Sequence, residues 1–120
     1  MQTAQRGSPG PEAAAGAAEM AEHAREAARL LKALAHEGRL MILCMLVEGE
    51  RSVSELVQML DASQPIVSQQ LARLRAQEFV TTRRKGKHIY YSLANDEVRE
   101  VVTVLYRLFC AGPSERQGQS

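Results

Sequence analysis

The stretch SELVQMLDASQPIVSQQLARLRAQEFVTTRRKGKHIYYSL, residues 54–93, decides the fold, because the period of its apolar residues changes once along it. Leu56, Val57 and Leu60, then Val67, Leu71 and Leu74, recur at helical spacing. Asp61-Ala62 separates the two runs, so residues 55–60 and 63–77 read as two helices joined by a tight turn. Ser54 and Ser63 stand where N-caps are wanted, and Pro65 falls in the first turn of the second helix, where its missing N–H is harmless. At Phe79 the period drops from 3.6 to 2. Residues 79–84 and 88–93 read as strands about Lys85-Gly86-Lys87, with Gly86 free to adopt the positive φ of a tight hairpin.

Working outward, Met20, Ala24, Ala27, Ala28, Leu31 and Leu34 predict a first helix over 19–34. Leu40, Leu43, Cys44 and Val47 predict a second over 37–47. After the hairpin, Asn95 or Asp96 caps a last helix over 97–110, whose apolar face is Val98, Val101, Val102, Leu105, Leu108 and Phe109. The ends differ in kind. Residues 1–18 are rich in Gly, Pro, Ala and small polar groups and are expected to form a disordered tail; Gly112-Pro113 stops the last helix and opens a flexible tail over 112–120. The expected domain therefore spans 19–111 and is mainly α with a β-hairpin, in the order α-α-α-α-β-β-α.

A chain of 120 residues with 45% apolar content fits one domain, and 4% aromatics without Trp favours Ala/Leu/Val-packed helices over a sandwich. No apolar run approaches the ~20 residues of a membrane span, and the start lacks the basic and apolar regions of a secretory signal, so a cytoplasmic protein with no membrane partner is expected. No glycine-rich phosphate loop, nucleophile–His–acid set or HExxH motif points to an enzyme, and no cofactor is expected. Net charge is +1, yet Arg73, Arg75, Arg83, Arg84, Lys85 and Lys87 against Glu78 give residues 62–95 a local +5, leaving −4 for the rest. A basic half on an acidic body suits a polyanion, most commonly nucleic acid.

The paired helices are the unit that presents its second helix to the major groove of double-stranded DNA. With Val67, Leu71 and Leu74 turned to the core, Gln64, Ser68, Gln69, Gln70 and Arg73 form the opposite, base-reading side; Gln pairs bidentately with adenine. Arg83, Arg84, Lys85, Lys87 and His88 cluster on the hairpin, where phosphate contact relieves their mutual repulsion, so the hairpin reads as a wing. A plain amphipathic helix and a solvated charged hairpin in a protein-binding domain are the alternatives. Leu30, Leu31 and Leu34 of the first helix, with Val101, Val102, Leu105 and Phe109 of the last, exceed what one small core needs. They predict a homodimer that sets two reading helices roughly 34–36 Å apart on an inverted-repeat operator.

The stretch ALAHEGRLMIL (33–43), the pair SELVQML and SQPIVSQQLARLR, and RKGKHIYYSL (84–93) together resemble the ArsR/SmtB family of winged helix-turn-helix repressors over roughly residues 26–110. Gln70 departs from the pattern, standing where the family usually has His. The resemblance implies a dimeric DNA-binding repressor. Family metal sites use cysteines in the third helix or Asp/His/His/Glu sets in the last. SELVQML has no Cys and DEVREVVTVLYRLFC no His, while His23, His36 and His88 lie in three separate elements, so no metal site is assembled. Cys44 and Cys110 are placed as in the BigR/SqrR-type, persulfide-responsive branch. The resemblance implies that the two are the redox sensor and that reactive sulfur species bridge them, releasing DNA. The residues alone do not suggest this for Cys44, which lies on an apolar stripe and reads as a small buried hydrophobe. A metal- or metalloid-responsive repressor using the same two thiols is the alternative.

Overall fold

The computed structural model describes residues 11–110, with side chains over 16–109. Both chain ends expected as tails, 1–10 and 112–120, lie outside those residues. The described residues divide into two compact units, one up to Lys32 and one from Ala33 onward.

The first unit is helical. Helix α1 (Pro11–Leu34) starts ahead of the expected residue 19, so residues 11–18 are helix, not tail. The physical reason is PEAAAGAAE: Pro11 is preorganised for a first helical position, and alanine loses no side-chain entropy on entering a helix. Glu22 with Arg25 and Glu26 with Arg29 add neighbouring opposite charges at i,i+3. The stripe expected to be apolar is only partly buried, with Met20 70% and Leu31 59% exposed.

In the second unit the order is α2 (Glu37–Met45), β1 (Arg51–Ser52), α3 (Val53–Leu60), α4 (Gln64–Ala76), β2 (Val80–Lys85), β3 (His88–Leu93) and α5 (Asp96–Leu105), followed by a π-helical turn, Tyr106–Cys110. The core is formed by Ile42, Leu43, Cys44 and Leu46 around α2, Leu56 of α3, Val67, Leu71 and Leu74 of α4, and Val98 and Val102 of α5. The face of α4 is the one its spacing predicts. The stripe of α2 is rotated from the expected one, because Leu40 and Val47 are only half-buried while Ile42 is buried.

The sheet is small and antiparallel, in the order β1-β3-β2. The hairpin runs in register from Val80↔Leu93 to Lys85↔His88, and Gly86 at its turn has φ +63°. The sequence pattern makes Ser52-Val53 a plain extended link and Ser54 the cap of α3. Instead Ser52 serves two elements. It pairs with Tyr90 in the sheet, and its hydroxyl accepts from the Glu55 N–H at 3.2 Å while the Glu55 carboxylate accepts from the Ser52 N–H at 2.9 Å. This reciprocal capping box needs an acceptor three residues on, which Ser52 has in Glu55 and Ser54 lacks in Val57. Asn95 caps α5, its side-chain oxygen accepting from the Val98 N–H at 2.9 Å.

Helix α4 ends in a motif the sequence conceals. Glu78 has φ +67°, the Glu78 N–H donates to Arg75 O and the Phe79 N–H to Leu74 O, each at 2.9 Å. These are the two bonds of a Schellman cap, with buried Phe79 and Leu74 as its accompanying apolar pair. A non-glycine residue in that conformation costs about 1–2 kcal/mol. Glu78→Gly should therefore raise the unfolding free energy, by about 1 kcal/mol after the extra backbone entropy of glycine is counted. Ser52→Ala should lower it by about 1 kcal/mol through loss of the cap. Urea unfolding of the two variants checks both signs.

Candidate nucleic-acid interface

Burial of Val67, Leu71 and Leu74 leaves a defined outer side on α4. Gln64, Gln69 and Arg73 are exposed there, and Ser68 is half-buried. Gln70 does not join them. Its Oε1 is buried without a hydrogen-bond partner among the described residues, and its Nε2 lies 3.6 Å from the position a Gly38 Cβ would take, so the amide is turned onto α2. Ile66, absent from the expected reading side, is 55% exposed near the start of α4. An apolar side chain there suits the C5-methyl of thymine. Its only sequence signal is that Ile66 stands one position off the Val67 stripe.

The hairpin carries Arg84, Lys85, Lys87 and His88, all exposed, and the three cations form no salt bridge among the described residues. Arg83 differs from them. Its Nε donates to Glu50 Oε2 at 3.1 Å and its Nη2 bonds Glu50 Oε1, making a bidentate pair across 33 positions of sequence. The guanidinium carbon also lies 5.8 Å from the centre of the Tyr90 ring, within cation–π range. The carboxylate partner sets Arg83 apart from the other cations expected to grip phosphate. The hydrogen bond from Arg83 is the main reason the Glu50 carboxyl lies below its usual range, ahead of the opposing desolvation and the attractions of Arg83 and Lys85. The same bond holds the Arg83 guanidinium above its ordinary value. A depressed carboxylate pKa means the pair is intact above the ordinary Glu range and is lost only as pH falls through the lowered value.

The two cysteines belong to neighbouring parts of the fold. Cys44 is 1% exposed on α2. Cys110 ends the π-helical turn, and its side chain lies outside the described residues. The loop after α2 is fastened to α5 and that turn by two bonds: Tyr106 Oη donates to Glu48 Oε2 at 2.9 Å, and Arg99 Nη1 donates to Val47 O at 3.4 Å. Among the described residues no three His, Cys, Asp or Glu side chains converge as metal ligands. The π-helical turn replaces the regular α-helix expected there. It leaves Leu108 and Phe109 at 55% and 72% exposed, beside Val101 and Val104.

A helical core that includes a short helix and a reading helix at a tight turn, with a basic β-hairpin beside them, defines a winged helix-turn-helix protein. The profile of the arsR family of bacterial regulatory proteins matches residues 36–82. A biofilm growth-associated repressor of Agrobacterium fabrum is 50% identical over 92 residues, which are 77% of this chain and 79% of that protein. The crystal structure of the transcriptional repressor BigR from Xylella fastidiosa superposes with a TM-score of 0.69 at 48% identity, covering 78% of this chain and 96% of that one. The homodimeric winged helix-turn-helix domain of a possible ArsR-family regulator from Mycobacterium bovis aligns with a TM-score of 0.64 at 31% identity, over 72% and 80% of the two chains. The chain belongs to the arsR family and is a transcriptional regulator, not an enzyme.

The pairing of Arg83 predicts unequal wing residues. Arg84→Ala or Lys87→Ala should weaken binding to any duplex and flatten its salt dependence by about 0.9 in slope per phosphate left ungripped, whereas Arg83→Ala should change the slope little. Glu50→Gln should have the opposite sign and strengthen binding at low salt, because it releases the Arg83 charge. Fluorescence anisotropy across a salt series distinguishes these outcomes.

Proposed function

We propose that the chain is a homodimeric repressor that binds an inverted-repeat operator in double-stranded DNA and leaves it when reactive sulfur species bridge Cys44 and Cys110. The observation that carries the DNA reading is the pairing of an anchored α4, polar on its outer side, with a hairpin whose Arg84, Lys85 and Lys87 form no salt bridge among the described residues. Exposed Gln64, Ser68, Gln69 and Ile66 read base edges in the major groove, with Arg73 beside them, while Arg84, Lys85, Lys87 and His88 hold phosphates. Repression agrees with the role of the Agrobacterium repressor, and a bacterial DNA-binding regulator acts in the cytoplasm.

The homodimer is favoured by Val101, Val104, Leu108 and Phe109, large apolar groups side by side on α5 and the turn after it and exposed in the single chain. A contiguous patch of that kind marks an interface. The homodimeric state of the Mycobacterium bovis domain agrees with it.

The sulfur reading rests on the resemblance to BigR-type repressors and on the bonds that join the loop after the Cys44 helix to α5 and the Cys110 turn. Cys44 is buried, so Cys110 is the thiol that reacts first. Its thiolate attacks the outer sulfur of a persulfide and releases an ordinary thiol. A second persulfide acts as oxidant as Cys44 closes the link. The totals balance: two cysteine thiols and two persulfides give a three-sulfur bridge, two ordinary thiols and one hydrogen sulfide. A sulfur chain reaches further than one S–S bond of about 2.05 Å, so it joins cysteines placed too far apart for an unstrained disulfide. A coupling of about 1–3 kcal/mol between bridge and DNA changes affinity 5–150-fold.

The test pairs intact mass with DNA binding on the same samples. Persulfide should add the bridging sulfur less two hydrogens and weaken operator binding, and Cys44→Ser or Cys110→Ser should bind DNA and ignore persulfide. A serine variant that still releases DNA would overturn the dithiol switch. Release by stoichiometric zinc or arsenite from the unbridged protein would favour the metal-responsive alternative. Sedimentation should give a dimer for the wild type and a monomer for Phe109→Asp. Gln64→Ala or Ser68→Ala should narrow the difference between operator and random DNA, by about 1–3 kcal/mol for each base no longer read.

A further inference from the structure

Helix α2 opens with a local conflict. Arg39 occupies its third position, where the positive end of the helix dipole disfavours a cation; Glu37 at the first position suits that end, but His36 as N-cap makes no side-chain capping bond. The Arg39 Nε is buried and has no hydrogen-bond partner among the described residues. A buried donor left open costs about 1–3 kcal/mol, more for a charged group, and conflicts of this kind collect at functional sites.

The side chain faces a notch of about 200 Å³ between the start of α2 and the outer side of α4, lined by His36, Arg39, Gln69, Gln70 and Arg73. No carboxylate is among these lining groups. Two guanidinium groups share one small space with an imidazole, and the N-terminus of α2 adds to the same positive field. Gly38 lies between the two elements, its Cβ position 3.5 Å from the His36 ring and 3.6 Å from the Gln70 amide, which is ordinary contact distance. Like charges held together with an open donor between them are complementary to a singly charged, multiply accepting oxyanion.

We propose that this notch is a phosphate site for the DNA backbone, in which Arg39 and Arg73 grip one phosphodiester while His36 and Gln69 border it. It rests on the DNA-binding reading above and extends it to α2, an element outside both the reading helix and the wing. The phosphodiester is favoured over a free anion because α4 itself forms one wall, so a duplex met by Gln64 and Ser68 passes its backbone across the opening. Arg39 thereby sets the register of α4 in the groove without contributing to base choice.

The test is the salt dependence of binding to a labelled mixed-sequence duplex, with thermal melting of each variant as the fold control. Arg39→Ala should bind more weakly at low salt, with a slope shallower by about 0.9, so that between 50 and 200 mM salt the wild type loses about 3.5-fold more affinity than the variant. Arg39→Lys should restore the slope. Should Arg39→Ala fail to melt cooperatively, Arg39→Gln and Arg73→Ala read the same quantity. An unchanged slope in a folded Arg39 variant would overturn the proposal. So would an unchanged slope accompanied by stabilisation of the wild type, but not of Arg39→Ala, by inorganic phosphate, which would assign the notch to a free anion. A wild type that retains no DNA even at low salt has no slope to lose; that result would overturn the DNA-binding reading itself, and the site with it.

Discussion

The burial of one face of α4, Val67, Leu71 and Leu74 at 1%, 0% and 0% exposure, is the constraint on which the molecule depends. Each such side chain is worth about 1.5–3 kcal/mol on leaving water, and rotating the helix by even one residue would exchange them for Ser68, Ala72 and Arg75. The rotation of α4 is therefore set hydrophobically, and its polar outer side needs no interaction of its own to be held in place. The Schellman cap at Glu78 then ends the helix abruptly, so that the buried Phe79 returns the chain to the core and the hairpin starts at a fixed point.

A second constraint places the hairpin beside that helix. Residues 50–52 immediately precede α3, and all three reach the hairpin. Glu50 holds Arg83, Arg51 pairs with Tyr91, and Ser52 pairs with Tyr90 while capping α3. The root of the wing is thus tied to the first helix of the reading unit by backbone and charge together. The tip carries the unmatched cations. Charge is neutralised where position matters and left open where a polyanion is to be met.

The same logic separates the cations of α2 and α4 from the cations of the surface at large. Arg83 is satisfied by a carboxylate, and Arg51 lies 3.5 Å from Glu48. Arg39 has an unpartnered nitrogen among the described residues and a cavity in front of it. A regulator that reads sequence on one face needs backbone contacts flanking that face to hold its register, and the exposed cations of the wing lie on one side of α4 only.

The sequence by itself determined the order of the five helices and the hairpin, the buried face of α4, the Gly86 turn and the family, because each depends on residues close in sequence or on a continuous motif. The start of α1 was equally local, yet low complexity reads as a tail until its alanines are counted as helix formers. What depends on distant partners is different. Ser52 is hidden as the cap of α3 because its second role, in the sheet, comes from Tyr90. Arg83 groups with the wing cations by sequence because Glu50 lies 33 positions away. Gln70 falls with the base readers because helical periodicity puts it on the polar side, whereas its amide is turned onto α2, a helix distant in sequence. Only the tertiary structure could decide these three, because side-chain pairing energy is local in space and the chain's periodicities are local in sequence.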